Sequence, residues 1–121
     1  KVVLVSSGLG RRAMAGSAAY CAAKAGLDHL ARALALEEAV KTNGARVVSL
    51  APGVIDTAMQ LQLRSADPSL FAEQARFQAL HDQGQLDTPS RAAARLLAFL
   101  DRPDFGTNPV ADVRDLPTVR A

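Results

Sequence analysis

The sequence predicts an α/β chain, part of a doubly wound parallel sheet with elements in the order strand, helix, strand, helices, short strand. Three observations carry that prediction. Val2-Val3-Leu4-Val5 and Arg46-Val47-Val48-Ser49-Leu50 are short β-branched runs, the first continuously apolar as parallel strands buried on both faces are. Between them runs an alanine- and leucine-rich stretch, about Ser17 to Lys41, in which Leu27, Leu30 and Leu34 recur at helical spacing. A strand, a helix and a strand in that order make a βαβ unit, whose crossover is right-handed.

Taken in order, Lys1–Ser6 is the first strand. Gly8, Gly10 and Gly16 break any periodicity, so Gly8–Gly16 is a loop with Arg11-Arg12 exposed. The Gly-x-Gly within it is weak as a phosphate motif, because the nucleotide fingerprint opens a helix directly after a strand. The arginine pair reads either as a partner for a cofactor phosphate or as solvated charge. Thr42-Asn43-Gly44 stops the long helix, with Gly or Asn supplying a left-handed turn. The second strand, 46–50, runs into the turn Ala51-Pro52-Gly53. Helical pieces occupy 57–85, with Asp67-Pro68 as a start signal, Leu70, Phe71, Ala75, Phe77 and Leu80 as the apolar side, and Gly84 as the end. Thr88-Pro89-Ser90 caps a last helix through Leu100, with Ala93, Leu96, Leu97 and Leu100 on one face. Pro103 stops it, and Val110–Asp115 makes a final short strand.

The 121 residues make one domain at most. A net charge of +2 without a basic run or interleaved aromatics argues against nucleic acid as a partner. Cys21 is the single cysteine, so no internal disulfide forms, and no metal-ligand spacing occurs. No apolar run approaches the roughly 20 residues of a membrane-spanning helix, and the expected compartment is cytoplasmic.

The chemistry concentrates at Ser7, Tyr20 and Lys24. Tyr20 and Lys24 stand four apart and share one helix face. Tyr20 follows Ser7 by thirteen positions, enough for the serine to fold back over that face. A tyrosine ordinarily titrates near ~10, and an ammonium within about 4–6 Å favours the phenolate. Such a pair serves as general acid or base toward a carbonyl or alcohol oxygen, with the serine hydroxyl as a hydrogen-bond donor to that oxygen. The Tyr-x-x-x-Lys spacing by itself is common and more often means plain packing or a solvent-facing pair. Pro52-Gly53 by itself is more often a plain strand-ending turn. Together, Ser7 and Pro52 follow the carboxyl ends of two parallel strands, where ligands of open α/β sheets bind.

These residues are similar to the catalytic half of a short-chain dehydrogenase/reductase. The likeness rests on Ser7, on Tyr20-Cys21-Ala22-Ala23-Lys24, on Leu34-Ala35-Leu36-Glu37-Glu38 and on Ala51-Pro52-Gly53-Val54-Ile55-Asp56-Thr57-Ala58-Met59-Gln60. It extends over nearly the whole chain and resembles in particular the sepiapterin reductases and bacterial benzil-reductase-like members. The resemblance implies a Rossmann-like sheet, of which this chain is the C-terminal half, and an NADP(H) cofactor, with NAD as the alternative. It implies that Tyr20, Lys24, Pro52, Gly53, Val54, Ile55 and Thr57 line that cofactor. It also implies a small carbonyl substrate, bordered by Met59, Leu63 and Phe71 of a lid and by Asp112, and a homodimer formed through the 17–41 helix.

The family's glycine-rich turn after its first strand, its Asn-Asn-Ala-Gly strand and the asparagine of its proton relay have no counterpart in these residues. The expectation is therefore a partial catalytic domain, 1–121. Two alternatives remain at this stage: another oxidoreductase of the same family, of acyl-carrier-protein or steroid type, and a truncated, non-catalytic fragment.

Overall fold

Along residues 1–116, which the computed structural model describes, seven regular elements follow one another. They are β1 (Val2–Val5), α1 (Ala18–Ala39), β2 (Val47–Ala51), α2 (Ala58–Arg64), α3 (Gln74–Asp82), α4 (Pro89–Leu100) and β3 (Val110–Asp112). The strands form one parallel sheet in the order β1-β2-β3, with Val5 opposite Leu50 and Ala51 opposite Asp112. β2 is the middle strand and is buried along its whole length. Successive side chains of a strand point to opposite faces. Val48 and Leu50 accordingly pack with Phe99 of α4, Phe105 and Val113 in the main apolar core. Ser49 points the other way and meets Asp28 of α1. Helices thus cover both faces of the sheet, as the α/β prediction required. Thr88 caps α4 as expected, its Oγ1 accepting the Arg91 N–H at 3.2 Å with Pro89 in the first turn.

Several expectations need correction. The buried residues of α1 are Asp28 and Ala31, whereas Leu30 is 46% exposed. Leu27 and Leu34 flank those two residues and are half-buried, so of the three spaced leucines only Leu30 turns away from the sheet. In α4 the buried face is turned by about one residue from the expected one. Ala92 and Phe99 are buried, Leu96 and Leu100 pack on the core, and Leu97 is exposed.

Asp67-Pro68 starts a turn rather than a helix. The Asp67 carboxylate accepts the Ser69 N–H and hydroxyl at 2.9 and 2.7 Å, and α3 begins only at Gln74. The break lets Phe71 stack on Phe77, 5.9 Å between ring centroids. In an unbroken helix residues six apart would face about 120° away from each other. Leu70, assigned to the apolar side of that helix, is solvent-exposed. Gly44 is not left-handed; it is small because a Cβ there would collide with the Glu38 carbonyl. The last strand ends at Asp112, and Val113–Asp115 form a 3-10 turn capped by the Asp112 side chain. Among the described residues no helix is long and apolar enough to cross a membrane.

Candidate active site

Parallel pairing puts the carboxyl ends of all three strands on one edge. Ser7 follows β1, Pro52 follows β2 and Asp112 closes β3. Ser7 opens a 3-10 turn, Gly8–Gly10, its Oγ accepting the Leu9 N–H at 3.2 Å. That turn lies directly on α1. A Cβ at Gly10 would stand 3.0 Å from the Lys24 carbonyl and 2.7 Å from Asp28 Oδ2, so only glycine allows this approach. The structure thus folds the Ser7 turn back onto the helix that carries Tyr20 and Lys24.

Lys24 Nζ lies 5.5 Å from the centroid of the Tyr20 ring, within cation–π range. It also donates to the Val5 carbonyl at 2.9 Å. Why that carbonyl is free follows from strand geometry. The Val2 and Ser6 N–H groups donate to Arg46 and Leu50 of the neighbouring strand, each at 2.8 Å. Val3 and Val5 alternate with them and point to the open edge of β1. An ammonium has three donors, so two remain for a ligand.

Asp28 binds these parts together, and the sequence reading missed it. It stands one turn beyond Lys24 on the same helix face and is 2% exposed. Its Oδ1 accepts the Ser49 hydroxyl at 2.8 Å, and its Oδ2 lies 3.3 Å from Nε of Arg11. Arg11 therefore reaches inward from the loop and is not merely solvated. Burial alone raises the Asp28 pKa, but the Ser6 and Ser49 hydroxyls and the Arg11 guanidinium outweigh it, leaving the carboxyl below its ordinary value. The spacing of 20, 24 and 28 was the available signal: a carboxylate on a face that otherwise turns toward the sheet.

On the second side of the site, Gly53 takes φ +85°, open to glycine at little strain. The Val54 carbonyl accepts the Asp87 N–H at 2.7 Å, and the Asp56 N–H donates to the Asp87 carbonyl at 2.8 Å. Ile55 is the residue bridged to Asp87, so its own N–H and C=O point away from that segment. Thr57 precedes α2 without a side-chain capping bond, which leaves its hydroxyl uncommitted. Lys24, Ile55 and Thr57 thus offer open polar groups to a cofactor.

Met59 is exposed on α2, and Leu63 is half-buried. Phe71 lies against the backbone of Gly16, 3.4 Å from where a Cβ would be. Asp112 is held by Arg114 at 3.0 and 2.6 Å. The Arg114 hydrogen bonds keep its carboxyl below the ordinary value against the opposing effect of burial. A separate cavity of about 240 Å³ lies away from these residues, near Gly44 and Arg46 at the far end of α1.

Residues 1–68 match the family described as short chain dehydrogenase. The chain is 36% identical over 105 residues to a benzil reductase ((S)-benzoin forming) of Bacillus cereus, covering 87% of this chain and 42% of that one. It is 38% identical over 117 residues to the sepiapterin reductase of Rattus norvegicus, covering 95% and 42%. A short-chain dehydrogenase/reductase of Saccharomyces cerevisiae superposes with a TM-score of 0.75 at 30% identity, covering 93% of this chain and 45% of that structure. The chain therefore spans less than half the length of these relatives. The matched first 68 residues hold the Ser7 turn, the Tyr20–Lys24 helix and the Pro52–Thr57 turn, and this chain belongs to the short-chain dehydrogenase family.

Proposed function

We propose that these residues form the catalytic end of an NADP-dependent reductase of ketones, diketones or pterin side chains, with NAD as the alternative cofactor. The observation that carries this reading is the Ser7 turn packed on α1 beside Tyr20 and Lys24. The names of the relatives, benzil reductase and sepiapterin reductase, support a carbonyl compound as substrate. Tyr20 donates its phenolic proton to the substrate oxygen, and Ser7 hydrogen-bonds the same oxygen. Lys24 stabilises the negative charge left on the phenol oxygen and offers its remaining donors to the ribose. Pro52, Gly53, Val54, Ile55 and Thr57 hold the nicotinamide end of the cofactor, which supplies the hydride when bound. Ile55 rather than Val54 supplies the backbone carbonyl for the carboxamide, because the Val54 carbonyl is already taken by Asp87.

Exposed Leu30 and Leu36 on α1, and Val40 at its C-cap, support the 17–41 helix as a homodimer face, and the free Cys21 fits a reducing, cytoplasmic setting. The decisive experiment is Tyr20→Phe, assayed by NADPH-dependent reduction of benzil. Turnover should fall about 10²- to 10⁴-fold, with NADPH affinity within about threefold of wild type. A variant that keeps most of its turnover removes Tyr20 from the chemistry.

A further inference from the structure

Arg114 sits in the turn after β3, and topology brings it to the same sheet edge as Ser7 and Pro52. Its side chain crosses that edge. A Cβ on Gly53 would stand 3.8 Å from its Cγ, and one on Gly8 would stand 3.6 Å from its Nη2. Those two glycines belong to the two turns that flank the site, and Gly8 is the neighbour of Ser7. The guanidinium is held in place by Asp112, which takes Nε at 3.0 Å and Nη2 at 2.6 Å. Asp112 is itself well anchored, with a side chain 12% exposed, and it also accepts the Arg114 backbone N–H at 2.8 Å. One edge of the guanidinium fork is thus occupied. Among the described residues Nη1 has no hydrogen-bond partner, and the side chain remains 56% exposed. Beside it runs a cavity of about 230 Å³, lined by Pro52, Gly53 and Val54 and by Arg91, Arg95 and Arg114, with Asp87 as its carboxylate. Asp87 pairs with Arg91 and Arg95 at 3.4 and 3.3 Å, which leaves Arg114 as the guanidinium of that wall with an edge open to an oxygen acceptor.

On the reading of this site as carbonyl-reducing, the geometry assigns Arg114 a specificity-determining role. The free edge of its guanidinium receives the second oxygen of a vicinal dicarbonyl substrate, while Ser7 and Tyr20 take the reacting oxygen. A planar guanidinium braced along one edge by Asp112 holds its remaining N–H donors in a fixed direction, as a flexible ammonium does not. Asp112 then acts as the brace of Arg114 rather than as a ligand of the substrate. The fixed cation also disfavours a substrate that brings its own positive charge to this end of the site.

Benzil and deoxybenzoin share one skeleton and differ by one carbonyl oxygen, which isolates the contact. With NADPH, Arg114→Ala should lower kcat/KM for benzil about 10- to 100-fold, the range of a hydrogen bond to a charged group. The loss with deoxybenzoin should stay within about threefold, and Arg114→Lys should recover part of the benzil loss. Equal losses on both ketones, or none on benzil, overturn the assignment.

Binding of phenylglyoxylate to the 121-residue chain, followed by NMR at the Gly8 and Gly53 amides, reads the same contact without turnover. Wild type should bind at least about tenfold more tightly than Arg114→Ala. Equal affinities, or no binding by wild type, overturn it. If wild type binds phenylglyoxylate through Arg114 yet reduces neither ketone, the reductase reading fails while the acceptor-binding role of Arg114 stands.

Discussion

Asp28 shows how one buried carboxylate can hold several functional parts in place. It links the Ser7 loop through Arg11, the middle strand through Ser49 and the Tyr20–Lys24 helix on which it sits. The Arg11 side chain is 26% exposed and can turn to water when its partner is lost. Asp28→Ala should therefore lower stability by about 1–3 kcal/mol, the desolvated hydroxyl of Ser49 contributing much of it. The pH dependence has a definite sign. The folded pKa lies below the ordinary 3.8, so the stabilisation is fully present above that value and is lost as pH falls through the folded value. The difference in urea stability between wild type and Asp28→Asn should be constant from about pH 5 to 7 and shrink below about pH 4. A difference that keeps its size into strong acid would show that the ionised carboxylate is not what matters.

At the scale of the element, two threonines at helix starts separate local capping from availability to a ligand. Thr88 accepts the Arg91 N–H and fixes the start of α4, whose Phe99 belongs to the core. Thr57 stands at the same place before α2 and makes no capping bond. Thr88→Ala should cost about 1 kcal/mol, and Thr57→Ala less than about 0.5 kcal/mol, in chemical denaturation. Comparable losses at both positions would mean that the Thr57 hydroxyl is engaged within the fold and not left for a cofactor. Gly10 makes the complementary point about a loop. The absence of one methyl group lets the Ser7 turn touch α1 at Lys24.

Across the whole molecule, the sheet has β2 in its interior and β1 at an open edge. Val3 and Val5 direct backbone groups away from β2, Lys24 covers one of those carbonyls, and Val2 and Val5 expose their side chains at 40% and 51%. Unpaired, apolar strand edges add further strands. The 121-residue chain should therefore sediment with a concentration-dependent coefficient, and Val5→Lys should suppress that dependence. A concentration-independent monomer in wild type would mean that the Lys24 contact is enough to close the edge.

Local signals determined the order of elements, the parallel sheet and the place of the chemistry. β-branched runs, a 22-residue helix, a capped Thr88-Pro89 start and the spacing of Ser7, Tyr20, Lys24 and Pro52 all act over a few residues, and each is legible as a pattern. The tertiary structure decided what those patterns touch. α1 buries Asp28 most deeply of its polar residues, because Ser49 of the middle strand supplies the hydroxyl that its carboxylate needs, while Leu30 of the spaced leucines is left exposed. Asp67 satisfied its carboxylate within its own turn, because Phe71 gains a partner in Phe77 only if the helix breaks. Arg114 lies more than a hundred residues from Ser7 in the chain and meets the site only because parallel strands gather their carboxyl ends on one edge. No local pattern encodes such a meeting, since the distance that matters is set by the register of β2 and β3.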